Sequence, residues 1–208
     1  MTLTHFAIIA VCAYLLGSLS FAIIVSKLTL GKDIRNYGSG NAGLTNAYRT
    51  MGAKKTLLVL LGDIAKGAAA VSIGMVLAGP VGKLTAGIFV ILGHMFPLYF
   101  GFKGGKGVLV AGGAILAIQP VLLPFLAIIF LVCLIPTGMV SLGSVAMAAL
   151  YPLLTIFYGV IRGYAAGDML VCAIGSGFMS GMVIYMHRAN IQRIREGKEY
   201  RFGHHEKK

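Results

Sequence analysis

Long apolar stretches separated by short polar ones fill this chain. Seven apolar runs can be drawn, at about 5–26, 56–78, 84–100, 108–119, 121–135, 139–159 and 168–186. A helix needs about 20 apolar residues to cross a bilayer, within a range of about 17–25. Four runs meet that length and 84–100 is marginal. Runs 108–119 and 121–135 are short and are split by Gln119-Pro120. They suit either two tilted helices joined by a tight turn or one broken hairpin. The pattern predicts an all-α, polytopic transmembrane helix bundle of about seven spans. It forms a single membrane domain over 1–208, with 202–208 as a flexible tail. The first run lacks a basic start and runs on too far for a cleaved signal peptide.

Composition agrees. The 208 residues are 58% hydrophobic and 12% charged, with a mean hydropathy of +0.87; a soluble domain is about 25% charged. Cys12, Cys133 and Cys172 each lie inside an apolar run and read as small hydrophobes. Carboxylates are scarce, so neither a metal nor another cofactor is expected.

The formal net charge of +12 is placed unevenly. With the N-terminus outside and spans alternating, one face holds Lys27, Lys32, Arg35, Arg49, Lys54, Lys55, Lys103, Lys106 and the seven Lys/Arg of 188–208. The other face holds Lys83 and Arg162, and Lys66 lies within a span. The positive-inside rule makes the crowded face cytoplasmic and the C-terminus internal. The charge then reads as topology and attraction to membrane lipid headgroups. No basic stripe interleaved with aromatics appears, and nucleic acid is not an expected partner. Gly62, Gly67 and Gly74, and the pair Gly177 and Gly181, are expected at close helix contacts.

Unusual polar chemistry gathers in three segments expected at the inner face. The first is "NYGSGNAGLTNAYRTMG" (36–52). Gly38-Ser39-Gly40 suits a tight turn, and Asn41 is a good N-cap for a short helix through about Thr50. On that helix Asn41, Thr45 and Arg49 would share one face. Ser39 would stand at its positive end, which favours anions. An ordinary capped surface helix fits the same residues. The second is Lys103-Gly104-Gly105-Lys106-Gly107. Its glycines would let backbone N–H groups turn toward one anion, with Lys106 as a point charge. Val108 stands where a Walker A loop has Ser or Thr, which argues against nucleotide hydrolysis. A plain inner turn with topology-setting lysines also fits. The third is "MHRANIQR" (186–193), where His187 and Asn190 share a helix face or simply sit at the interface.

Asp63 and Lys66 lie within the second run, and His94 within the third. An ionised side chain at mid-bilayer costs about 2.5–3.5 kcal/mol on insertion scales. By helical rise, Asp63 and His94 lie roughly 10 Å, and Lys66 roughly 15 Å, from the same inner boundary. They are expected to meet at one level, either as part of a site or as a self-neutralising pair.

Together these motifs resemble the acyl-phosphate-dependent glycerol-3-phosphate acyltransferases of bacterial membranes. The likeness rests on "GSGNAGLTN" followed by Arg49, "LGHMFPLYFGFKGGKGV" (92–108) and "HRANIQR" (187–193). It extends to "AYLLGSLSFA" (13–22) and "DIAKG" (63–67), and so covers nearly the whole chain. It implies transfer of an acyl group from acyl phosphate to the 1-hydroxyl of glycerol 3-phosphate, giving lysophosphatidate and phosphate. Carried over by motif, Ser39, Arg49, Lys106, His187 and Asn190 are the expected catalytic residues. Gly40, Asn41, Thr45, Asn46, Lys103, Gly104, Gly105, Gly107, Asp63, Lys66 and His94 are expected at the substrates. His187 or a substrate phosphate would be the base. The expected location is the bacterial inner membrane, with the site at its cytoplasmic face. A transporter for a small organic phosphate is the rival class, although no inverted repeat is evident.

Overall fold

The computed structural model describes residues 1–202; the tail expected beyond Phe202 lies outside the described residues. Among the described residues there are eight α-helices and no strand. The chain gathers into two compact units, Met1–Pro120 and the residues from Val121 onward. Among the described residues, five stretches are long and apolar enough to cross a membrane: Leu3–Leu30, Leu44–Phe100, Pro120–Thr137, Val140–Ile161 and Ala166–Met186.

The first apolar run is not one helix. α1 (Leu3–Gly17) stops, and three residues intervene before α2 (Phe21–Leu30). Ser18 turns its hydroxyl back onto the Tyr14 carbonyl, 2.8 Å away. That hydroxyl in turn accepts from Leu98 N–H at 3.2 Å. The break is thus a polar notch inside an apolar run, which hydropathy alone passes over.

α3 (Leu44–Met95) is 52 residues long. At about 1.5 Å per residue it would far exceed a 30 Å hydrocarbon core if straight. It is interrupted at Gly52 and again at Ala78-Gly79, just before Pro80. Gly79 has φ 60°, a left-handed turn that a side chain would resist. A methyl on Gly74 would strike the Gly82 carbonyl, so the arms either side of this turn lie against each other. The second arm ends at Met95 rather than near residue 100, because Pro97 and a 3-10 turn, Leu98–Phe100, follow. α4 (Val108–Ile118) has only 11 residues, too few to span alone.

Small residues set the helix distances here. A methyl on Gly67 would meet the Val110 carbonyl, and one on Gly113 the Ile64 carbonyl, at a single crossing of α3 and α4. Gly62 makes room for the Phe21 ring in the same way. Lipid gives helices little hydrophobic reason to associate, so close backbone approach has to supply the contact. Gly177 and Gly181, expected to serve likewise, have open space where a Cβ would stand, and the sequence reading is corrected there.

The second unit contains α5 (Leu123–Thr137), α6 (Val140–Ile161), α7 (Ala166–Met186) and α8 (Arg188–Arg195). Large apolar side chains such as Val132, Ile135, Phe157 and Val160 lie exposed on it, as a lipid-facing surface requires. Its tail is fastened by buried Glu199, which accepts from Ser141 Oγ at 2.7 Å and Asn190 Nδ2 at 2.6 Å. Arg193 Nε bonds its other oxygen at 2.8 Å. Burial pushes the Glu199 carboxyl up, but the hydrogen bonds from Asn190, Ser141 and Arg193 outweigh it and hold the group below its ordinary value.

Four substitutions test these contacts. Gly113→Ala should lower the thermal stability of the purified protein in detergent by about 1–3 kcal/mol, as overpacking does. Gly177→Ala should stay within about 0.5 kcal/mol of wild type. Glu199→Ala should cost about 2 kcal/mol by stranding Ser141 and Asn190. Since the folded state depresses the Glu199 pKa, its contribution is full above the ordinary glutamate value and lost as pH falls through the depressed one. The melting temperature of Glu199→Gln should therefore fall less steeply than wild type on acidification.

Candidate active site

Two loops of the first unit carry the polar motifs. The loop between α2 and α3 rests on an apolar cluster of Ala22, Ile23, Val25, Ile34, Ala42, Ala47 and Val59, with Phe21, Leu44 and Phe100 packed against it. Above that cluster Asn46 ties several turns of the chain together. Buried Asn46 gives its amide hydrogens to the Ile34, Tyr37 and Asn41 carbonyls at 3.2, 3.0 and 3.0 Å. Its Oδ1 accepts from Ser39 N–H at 2.9 Å. Asn46 thus uses both ends of its amide to hold the loop, a role that spacing alone does not show.

This fold-back moves the helix start. The short helix begins at Leu44 with Gly43 as N-cap, and Asn41 stays in the loop with its carbonyl taken by Asn46. The predicted Asn41–Thr45–Arg49 face is corrected to Thr45 and Arg49 alone. Ser39 sits exposed between Gly38 and Gly40, whose φ values of 58° and 71° only glycine adopts readily.

The glycine-lysine loop also differs from expectation. The N–H groups of Gly104 and Gly105 do not turn toward a common ligand. They donate to the Met95 and His94 carbonyls at 3.1 and 3.2 Å. The end of a helix leaves such carbonyls unpaired, and the returning loop caps them. The loop then runs through Lys106 to Gly107, the N-cap of α4. The first N–H groups of α4 have no intrahelical acceptor and stand at the positive end of its dipole.

The two loops touch. Gly40 and Gly104 line one open cleft of about 510 Å³, together with Arg35, Asn36, Phe100 and Lys103. A methyl on Gly105 would stand 2.6 Å from the Ala42 carbonyl and would strike His94 Nε2. The serine loop and the lysine loop are therefore neighbours, as the motif reading anticipated.

Sequence reasoning passed over the brace between them. Arg35 Nη1 donates to the Phe100 carbonyl at 2.6 Å and the Lys103 carbonyl at 3.1 Å. Asp33 grips the same guanidinium through Oδ1 at 3.0 Å and Oδ2 at 2.8 Å. Hydrogen bonding from Arg35 holds the Asp33 carboxyl below its ordinary value, and Asp33 holds Arg35 above its own. The signal was present in the sequence: Asp33 is an N-cap two residues before an arginine, opening the 3-10 turn Ile34–Asn36.

Beneath the loops, Asp63, Lys66 and His94 do meet. Lys66 Nζ lies 2.9 Å from Asp63 Oδ1 and 3.1 Å from His94 Nδ1, all three groups being buried. In the second unit His187 is buried where α7 gives way to α8, with Nδ1 2.8 Å from the Val183 carbonyl. Asn190 is buried against Glu199.

Similarity to known proteins agrees with the motifs. The family model described as glycerol-3-phosphate acyltransferase matches residues 7–197. A glycerol-3-phosphate acyltransferase of Geobacillus kaustophilus is 40% identical over 188 residues, covering 90% of this chain and 91% of the relative. The enzyme of that name from Bacillus subtilis is 40% identical, with 90% and 93% covered. Among solved structures, PlsY (YgiH), an integral membrane glycerol 3-phosphate acyltransferase in its glycerol 3-phosphate form, matches with a TM-score of 0.84. That match is 34% identical and covers 95% of this chain and 96% of the other. Its lysophosphatidic acid form matches with a TM-score of 0.82 at 32% identity, covering 95% of each chain. Given a family match over nearly the full length and two polar loops brought together, the chain belongs to the glycerol-3-phosphate acyltransferase family.

Proposed function

We propose that this protein takes acyl phosphate as donor and acylates the 1-hydroxyl of glycerol 3-phosphate, releasing lysophosphatidate and inorganic phosphate at the cytoplasmic face of a bacterial inner membrane. In this reading the chain crosses the bilayer seven times, with its N-terminus outside. The observation that supports the proposal is that the Ser39 loop lies against the glycine-lysine loop, at Ala42 and Gly105, just before Lys106 leads into α4. A lysine beside unpaired helix N–H groups suits a phosphate. The absence of a hydroxyl after Gly107 argues against nucleotide hydrolysis.

The donor is a mixed anhydride, so its carbonyl is already activated. The hydroxyl oxygen of glycerol 3-phosphate forms a bond to that carbonyl carbon, and the bond from carbon to the phosphate oxygen breaks. The departing phosphate carries the electron pair away. The hydroxyl proton passes to His187 or to a substrate phosphate, whose second pKa is about 6. The enzyme's task is to bring two anions together and neutralise them. Lys106, α4 and Arg49 take the glycerol phosphate, and Ser39 orients the donor's phosphate. On their motif, His187 and Asn190 steady the phosphate ends. The acyl tail enters among the helices from the inner leaflet.

The test is phosphate release from acyl phosphate by purified protein in detergent, with the lipid product identified by mass. Release should depend on glycerol 3-phosphate and yield lysophosphatidate. Lys106→Ala and Ser39→Ala should each lower kcat/KM by roughly 100-fold or more. Intact acyl phosphate with folded wild type would overturn the reading and bring transport forward, to be measured in sealed vesicles.

A further inference from the structure

The buried cation beneath the loops has a complete set of partners. Lys66 Nζ donates to the Gly17 carbonyl at 3.0 Å and the Leu19 carbonyl at 2.6 Å, both in the gap between α1 and α2. Its third proton faces His94 Nδ1 at 3.1 Å. An ammonium has three donors and no lone pair, so opposite a charged Lys66, which Asp63 favours, Nδ1 is the acceptor. The imidazole is then neutral and carries its proton on Nε2. Asp63 supplies the counter-charge at 2.9 Å from Lys66, and it is farther, 3.7 Å, from Nδ1. The opposite edge of the ring meets the glycine loop, for Nε2 occupies the space a Gly105 side chain would need. Gly105 N–H is also anchored to the His94 carbonyl at 3.2 Å.

We propose that Lys66 and His94 are positioning residues for the glycine-lysine loop rather than substrate ligands. Lys66 fixes the ring as the Nε2–H tautomer, and the ring forms the floor under Gly105. That floor sets where Lys106 and the first turn of α4 meet a phosphate. The inference rests on the acyltransferase reading for the identity of that phosphate. It predicts that disturbing the ring changes the capture of glycerol 3-phosphate more than the chemistry that follows. It also predicts that Lys66 acts through His94, so that the two effects overlap instead of adding.

The measurement is steady-state kinetics on the full-length protein in detergent, after each variant is shown to be monodisperse. His94→Ala should raise KM for glycerol 3-phosphate by about 10- to 100-fold, with kcat and the KM for acyl phosphate within about threefold of wild type. His94→Gln, which can return an amide N–H near Nε2, should recover part of that loss. Asp63→Asn with Lys66→Met removes both charges together. It should raise the same KM, and should add little in a His94→Ala background. Loss of kcat alone, an unchanged KM in folded protein, or fully additive effects would each overturn the proposal. Nitrogen-15 NMR of histidine-labelled wild type reads the tautomer without any substitution. An Nδ1–H or doubly protonated His94 would also overturn it, and this decides the matter should the variants not fold. Wild type that transfers no acyl group would instead defeat the functional reading, leaving the positioning of the ring to the tautomer measurement.

Discussion

The first unit depends on an ammonium group kept in its interior. A buried charge costs several kcal/mol unless its partners replace the lost water. Lys66 meets that demand with two backbone carbonyls, an imidazole and a carboxylate, and the Phe21 ring lies 5.8 Å from it. The carbonyls exist as partners only because α1 stops at Gly17. A continuous helix would have bonded both internally. The broken helix and the buried lysine therefore require each other. The break also frees Ser18 to receive Leu98, and Tyr14 reaches the Phe96 carbonyl at 2.6 Å. The segment that leads into the glycine loop is thus held by the same notch.

The apolar runs were legible because bilayer thickness imposes a length on each crossing. Hydropathy placed the second and third runs either side of Gly79, and the arms of α3 do turn there. The interruption at Ser18–Ser20 was not legible. Two serines in an apolar run do not by themselves end a helix, and the group that takes the Gly17 and Leu19 carbonyls at the break is a lysine more than forty residues away. Nor could Gly177 and Gly181 be told from Gly67 and Gly113 by spacing. A small residue permits a close approach, but only the neighbouring helix decides whether one occurs.

The polar motifs were legible as places, less so as roles. Ser39, Gly40 and Ala42 do lie beside Gly104 and Gly105. Within those places, residues divide between facing outward and holding the loop. Asn46 has the chemistry of a phosphate ligand, yet its amide is committed to Ser39 and three carbonyls. The N–H groups of Gly104 and Gly105 likewise serve the end of α3. Composition cannot make that division, because the same donors suit an anion or a carbonyl. Arg35 was counted only as a charge that sets topology, although its guanidinium joins the two loops.

Glycine loops bring a difficulty that explains the amount of bracing. They let the backbone approach a substrate closely, but they lose more conformational entropy on ordering than any other sequence. A loop left to itself would spread over many shapes and present Lys106 at varying distances. Here each glycine segment is gripped by a side chain with several fixed hydrogen-bonding directions. Asn46 holds 34–41, Arg35 holds 100–103, and His94 lies under Gly105. Two of these holders are themselves fixed by an ion, Arg35 by Asp33 and His94 by Lys66. Glycine thus supplies the reach and the buried polar groups supply the rigidity. On the proposed reading, anion capture here would depend as much on these bracing residues as on those that meet the ligand.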